Sequence, residues 1–324
     1  MMKVESWNSI VDSFQKKNIL VLGDIILDEY IIGEVERICP EAPVPVVRVS
    51  QRNFHLGGAA NVVHNLRALG AQTSLCGVVG GDDSGRKIYQ LLDEIGVDHR
   101  SILIDESRPT IQKSRVIARR QQIVRFDNEK SVELAALVSA RLFQEFCDRL
   151  PTSDIVIVSD YAKGVLSRHF FQEIAIVVHK ASKKLIVDPK RQDLHFYRGA
   201  SVLTPNFAEA CRFAQNEEVC ASLEKLGGHI LSSLDDSSVI ITLGGDGMAV
   251  FEKNLPMQFM KTKPQEVFEV SGAGDTVLSL LSLGLVSGLS LSEAASLANT
   301  GAGLVVKKMG TATVTPEELK QALL

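Results

Sequence analysis

"NILVLGD" (18–24) is a run of leucine and β-branched residues that closes on Gly-Asp, the make-up of a strand buried on both faces with a polar group at its carboxyl end. The pattern returns in "SLCGVVG" (74–80), "DIVIVSD" (154–160), "KLIVDP" (184–189), "SVLTPN" (201–206) and "SVIITLGG" (238–245). Between these runs, apolar residues fall at helical spacing over 59–69, 83–95, 133–149, 167–182 and 217–233. Strand followed by helix, repeated, predicts an α/β fold in which a parallel sheet is covered by helices on both faces.

Two segments break the rhythm. Residues 29–50, "EYIIGEVERICPEAPVPVVRVS", and 108–127, "RPTIQKSRVIARRQQIVRFD", alternate apolar and polar residues without a helical period. They predict half-exposed antiparallel strands that form a small sheet, a lid, standing off the main body. With no internal repeat and no low-complexity linker, the 324 residues are expected to form one domain, 1–324, with a β-lid formed by about 29–50 and 108–127.

The composition narrows the function. A formal charge of −4, from 35 basic and 39 acidic residues, supplies no overall positive field to hold nucleic acid or an anionic membrane, so an anionic ligand must be gripped locally. Five cysteines at irregular spacing, with no C-x-x-C pair, predict reduced thiols and a cytoplasmic chain. Residues 1–17 carry Glu5 and Asp12 where a signal peptide needs an apolar centre, and predict a short amphipathic helix. The longest uncharged stretch, 276–292, is shorter than the ~20 residues of a membrane span and contains serines and glycines, which predicts a buried helix.

In open α/β sheets ligands gather at the carboxyl ends of the strands. The polar residues there are Asp24 and Asp28, Asp160, Asp188, Asn206 with Glu209, and Thr242 with Gly244 and Gly247. Any one of these also suits a helix cap; several at one edge make a candidate site. "EVSGAGDT" (269–276) adds Gly272, Ala273 and Gly274, a loop whose backbone N–H groups can approach a ligand at the start of a helix. Such an end attracts phosphate. Asp275, one residue on, is placed to take a proton from a hydroxyl attacking that phosphate. On these residues alone, a capping Asp after a flexible turn is an equal alternative.

Three motifs in order, "GGAANVVHNLRALG" (57–70), "TPNFAEA" (204–210) and "EVSGAGDT" (269–276), resemble those of the PfkB, or ribokinase-like, sugar kinases. The resemblance runs from "LVLGDIILDEY" (20–30) to "ANTGAGLVVKKMGT" (298–311). It implies a ribokinase-like three-layer α/β/α fold with a mostly parallel central sheet and a β-lid over the sugar. It also implies ATP and Mg2+, with a sugar phosphate as the other small-molecule partner, and neither nucleic acid nor membrane. "RICPEAPVPVVRV" (37–49), "RRQQIVRFD" (119–127), "SDYAKGVL" (159–166) and "VDPKRQDLHFYRGASVLTPN" (187–206) resemble the branch that phosphorylates heptose 7-phosphate at its 1-hydroxyl for ADP-heptose and the lipopolysaccharide inner core. That kinase is often fused to a nucleotidyltransferase. No H-x-G-H occurs in the chain, which is therefore expected to be the free-standing form, and its lid is a candidate homodimer face.

Carried over by position, the resemblance makes Asp275 the base and Gly272, Ala273 and Gly274 the backbone that stabilises the transferring phosphoryl. Asn206 and Glu209 match the motif that organises Mg2+ through water. Thr242, Gly244, Gly247 and Asn299 fall to the adenine and ribose pocket, and Asp24, Asp28, Gly57, Gly58 and Asn61 to the sugar. Of the basic residues Lys113, Arg115, Arg119, Arg120, Arg125 and Lys163, the candidates for a sugar phosphate are Arg125 and Lys163, the arginine by its bidentate reach. One departure stands out: Glu269, Val270 and Ser271 occupy positions where the family commonly has Asp-x-Thr, whose Asp helps bind an activating potassium ion. The rival expectations are a ribokinase- or fructokinase-type enzyme for an unphosphorylated sugar and a non-catalytic sugar-binding regulator. A dinucleotide oxidoreductase is disfavoured because no G-x-G-x-x-G opens a first βαβ unit.

Overall fold

A computed structural model of the chain describes residues 4–119, 121–234, 237–262, 272–308 and 312–324. Its main sheet is built from β1 (Asn18–Gly23), β4 (Gln72–Val79), β5 (Ile102–Ile104), β8 (Ile155–Ser159), β9 (Leu185–Asp188), β10 (Val202–Leu203), β11 (Ser238–Thr242), β12 (Gly247–Phe251) and β13 (Gln258–Lys261). A second sheet holds β2 (Ile25–Ile38), β3 (Pro45–Gly58), β6 (Ile111–Ala118) and β7 (Gln121–Asn128). The main order is β13-β12-β11-β10-β9-β8-β1-β4-β5, parallel from β11 to β5, with β12 and β13 antiparallel at one edge.

Alternation along the strands builds three layers, α/β/α. Ile19 and Val21 of β1, Ile155 and Ile157 of β8 and Ile186 of β9 enter one apolar cluster, together with helices Ala59–Ala68, Ala273–Val286 and Leu291–Val305. Their neighbours Leu20, Leu22, Val156, Val158, Leu185 and Val187 enter the other, against helices Ala136–Arg149, Arg168–Lys180 and Leu223–Ser233. Both faces of these strands are thus apolar, which is why they read as unbroken runs.

Several boundaries differ from those expected. The span 217–233 is two helices, Glu217–Cys220 and Leu223–Ser233, because the Ser222 side chain accepts from Lys225 N and caps a new start. The buried helix begins earlier and ends earlier, at Ala273–Val286, and a second one, Leu291–Val305, starts behind a capping box of Ser290 and Glu293. The amphipathic N-terminal segment forms helix Val4–Ser13.

The small sheet has the order β3-β2-β6-β7. β2 and β3 form a long antiparallel hairpin, β6 joins β2 in parallel and β7 closes antiparallel on β6. β2 leaves β1 after a single residue, Asp24, and β3 runs to Gly58, eight residues past the expected end, straight into helix Ala59–Ala68. The small sheet therefore rises from the carboxyl end of β1, at the edge where the candidate residues collect.

Candidate active site

A cavity of about 580 Å³ opens at this edge, lined by residues following β8, β9, β10 and β11 and by the first turn of helix Ala273–Val286. Gly272 caps that helix in the left-handed region (φ 81°), where a side chain is strained, and an added Cβ would lie 3.0 Å from Asn61 Nδ2. The α-carbon of Gly274 faces open space. The first-turn N–H groups of a helix have no carbonyl to answer them, so this end of the cavity presents bare donors.

Asp275 lies in that turn, 6% exposed. Asn61 Nδ2 donates to its Oδ2 at 2.6 Å and the Tyr161 hydroxyl to its Oδ1 at 3.4 Å. Behind it Thr276 Oγ1 donates to Asn65 Oδ1 (2.8 Å) and Asn65 Nδ2 to the Asn61 carbonyl (2.9 Å), which ties the acid's helix to Ala59–Ala68. Burial pushes the Asp275 carboxyl from 3.8 up to about 7; the Asn61 bond and Lys190 pull it down, while Asp188 and Asp28 add to the rise. A carboxylate so poised is suited to take a proton near neutral pH.

Across the cavity, Lys190 Nζ bridges two acids, Asp188 Oδ2 at 3.0 Å and Glu209 Oε1 at 2.9 Å. Asn206 and Glu209 form a reciprocal capping box on helix Phe207–Ala214: Glu209 N donates to Asn206 Oδ1 (2.9 Å) and Asn206 N to Glu209 Oε2 (2.8 Å). Capping thus uses one Glu209 oxygen and leaves the other facing Lys190. An isolated parallel bridge sets Asn206 beside Thr242. Among the described residues no group of three or more His, Cys, Asp or Glu could hold a metal ion by itself. Asp188 and Glu209 nonetheless converge on a single cation, and a pair of carboxylates completed by water and phosphate oxygens is the donor set magnesium favours.

The far end of the cavity is lined by Thr242, Gly244 and Gly247 with the apolar Met248, Ala302 and Val306. Asn299 is there too; its amide donates to the Lys261 carbonyl (3.3 Å) and accepts from Thr262 Oγ1 (2.9 Å), which fastens helix Leu291–Val305 to the end of β13. Glu269, Val270, Ser271 and Arg120 lie outside the described residues.

The register of the small sheet sorts its charges into rows. Asp28 pairs with His55 on one side and Lys113 on the other, and Lys113 with Asp127. Two residues along, Tyr30 pairs with Asn53 and Arg115, and Arg115 with Arg125. Arg115 reaches back to Asp28 (2.6 Å) over the Tyr30 ring, and Lys113 and Lys163 both meet Glu129 (3.5 and 2.5 Å). Lys113, Arg115 and Lys163 are only 12%, 17% and 20% exposed at their side chains. Arg125 is 47% exposed and holds Asp127 of its own strand. Two residues outside the expected pair, Lys113 and Arg115, thus sit deeper than Arg125. Arg119 is exposed, with Nη2 donating to the Val35 carbonyl.

Two of the residues expected at the sugar are hydrogen-bonded within the protein. Asp24, 1% exposed, accepts from the N–H groups of Tyr161 (2.8 Å), Lys163 (3.1 Å) and Val165 (3.3 Å), so its carboxylate holds the 161–165 loop. Burial, and Asp160 behind it, push this carboxyl up to about 6 against those bonds. Asn61 turns its amide to Asp275. Asp28 lies near enough to Asp275 for its charge to act on that carboxyl, and Gly57 packs on it, where an added Cβ would strike the Asp28 carboxylate. Tyr161, Lys190 and Asn65 belong to the site without having been singled out; all three fall inside quoted runs, which carry no spacing rule that marks them.

Solved structures place the architecture first. The fold is that of ribokinase-like enzymes: the chain is similar to Escherichia coli phosphofructokinase-2 in complex with potassium (TM-score 0.77, 17% identity, 95% of this chain and 98% of that one). It is similar also to Arabidopsis thaliana ribokinase complexed with ribose and ATP (TM-score 0.75, 19% identity, 95% and 98%). The profile of the pfkB family carbohydrate kinases matches residues 16–318, and the chain belongs to that family. Among curated relatives it is 44% identical to the bifunctional protein HldE of Desulfatibacillum aliphaticivorans over 99% of this chain, and 43% identical to that of Nitratiruptor sp. over 94%. It spans 66% and 65% of the length of these two relatives. Among the described residues no helix is long and apolar enough to cross a membrane.

Proposed function

We propose that the chain transfers the γ-phosphoryl of ATP to the 1-hydroxyl of heptose 7-phosphate, giving heptose 1,7-bisphosphate for ADP-heptose and lipopolysaccharide synthesis. The family supplies the kinase chemistry, and the similarity to HldE proteins together with the lid sequences supplies the sugar. The observation that carries the phosphorylated substrate is the group of half-buried cations, Lys113, Arg115 and Lys163, on and beside the sheet that also presents Asp28 toward Asp275. Each of them meets an acid, Asp127, Glu129 or Asp28, and a sugar phosphate would replace or share those partners, which an unphosphorylated sugar would leave in place.

In this reading Asp28 accepts from sugar hydroxyls and orients the acceptor. Asp275, held by Asn61 and Tyr161, takes the proton of the attacking hydroxyl. The donors at the start of helix Ala273–Val286 face the charge that develops on the transferring phosphoryl. Magnesium, held by Asp188, Glu209 and Asn206 in part through water, would neutralise phosphate charge. The small sheet covers the sugar and excludes water.

The test is kcat/KM for heptose 7-phosphate and for ribose, fructose and the dephosphorylated heptose, in the parent, Lys113→Ala and Arg115→Ala. Charge-assisted hydrogen bonds worth ~1.5–3 kcal/mol predict a loss of roughly ten- to a hundred-fold on the sugar phosphate alone. Equal losses on all sugars, or a parent preference for an unphosphorylated one, would reject the assignment.

A further inference from the structure

Among the described residues that line the cavity, Lys190 is the single cation, facing the carboxylates Asp188, Glu209 and Asp275. Its backbone is fixed. The Tyr197 hydroxyl accepts from both Lys190 N and Arg191 N (3.1 Å each) and donates to Asp160 (2.7 Å), which also takes Arg191 Nε (2.9 Å). The Tyr197 side chain is fully buried. The loop is therefore locked, whereas the four-carbon stem of Lys190 ends in open cavity beside the Tyr161 ring (5.6 Å). Burial opposes its charge, but Asp188 and Glu209 outweigh that and hold the ammonium charged.

A nucleotide triphosphate cannot settle beside these acids without compensation. The carboxylates that would help hold a divalent ion, Asp188 and Glu209, are already joined by this ammonium. We propose that Lys190 exchanges partners during the cycle, bound to Asp188 and Glu209 in the empty cavity and turned onto the oxygens of the transferring phosphoryl once a divalent ion has taken those carboxylates. Lys190 is then a catalytic residue that touches the substrate, and in the empty enzyme a competitor of the metal. This rests on the kinase reading above.

The experiment uses the full chain and the variants Lys190→Met and Lys190→Arg. Binding of Mn2+ alone, followed by its electron paramagnetic resonance signal without nucleotide, should tighten roughly tenfold in Lys190→Met, because no ammonium competes for the acids. In the same variant kcat should fall about 10²–10³-fold, the scale for losing one preorganised charge donor, with KM for the sugar unchanged. Lys190→Arg should keep part of kcat and bind Mn2+ like the parent. A lysine that only held the fold would loosen Mn2+ binding on removal, and unchanged or weakened Mn2+ binding in a folded variant overturns the exchange. An unchanged kcat overturns the phosphoryl contact. If Lys190→Met does not fold, Lys190→Gln takes its place with the same outcomes. If the parent phosphorylates no sugar, the kinase reading fails, and the Mn2+ titration still decides whether lysine and metal compete.

Discussion

Replacing Asp275 with Asn should make the protein more stable and nearly inactive, and the stability gain should depend on pH. The carboxyl is buried, and its folded value, about 7, lies above its ordinary 3.8. Between those values the unfolded chain has lost the proton and the folded one keeps it, so stability falls as pH rises from about 4 to 7 and stays at the lower level above. At ~1.4 kcal/mol per pH unit, the ceiling on this cost is on the order of 4 kcal/mol. Partial relaxation of Asp28, Asp188 and Lys190 leaves an expected ~1–3 kcal/mol. Asn keeps an acceptor for Asn61 and carries no charge, so the variant recovers most of this above pH 7. With an unfolding entropy of ~2.1 cal/mol/K per residue, each kcal/mol shifts Tm by about 1.5 °C in a chain of this length. Thermal unfolding at pH 4.5 and pH 8 should show parent and variant close together at the lower pH and the variant ~2–4 °C higher at the upper. Phosphoryl transfer should slow by ~10²–10⁴. A variant that is less stable at pH 8, or a Tm difference equal at both pH values, would refute the buried-base argument.

Two further changes probe the same turn. Gly274→Ala adds a methyl group in open space on a helical residue, so stability should hold or rise by ~0.5–1 kcal/mol while turnover falls at least ~10-fold as the phosphoryl is displaced; a fully active variant would place the transfer elsewhere. Asn61→Ala removes the hydrogen bond that lowers the Asp275 carboxyl, so the acid limb of kcat/KM should move alkaline by about one pH unit, with more activity lost at pH 6.5 than at pH 9. An unmoved midpoint would show that Asp275 does not set that limb.

The central strands were legible because burial on both faces leaves a continuous apolar run, as in β1, β8 and β9. β5 has three residues and β13 alternates without a strong apolar face, so neither rises above a loop in the sequence. β3 was cut short because "QRNFHLGG" (51–58) carries no period, although its pairing with β2 continues to Gly58. The sequence marks Asp24 as an acid at a strand end and does not tell which way its carboxylate points. Only the folded 161–165 loop, with three N–H groups aimed at it, makes it an anchor. Lys190 follows a proline in a segment without periodicity, and its meaning depends on Asp188 and Glu209 arriving from two different strand ends.

Among the described residues the two sheets share no hydrogen-bonded ladder: Asp275, Lys190 and Glu209 belong to the edge of one, and Asp28, Lys113 and Arg115 to the other. Asp28 ties them electrostatically, since its charge adds to the rise of the Asp275 carboxyl, and the rest of the small sheet can be redrawn around it. On the proposed reading, substitutions in the cation rows of the small sheet would change which acceptor is favoured while the apparatus for moving a phosphoryl group is inherited intact. A lineage diversifying its sugars would accumulate its differences in 25–58 and 111–128, and reconstructed ancestors exchanged in those two segments alone should trade acceptor preference while keeping their nucleotide.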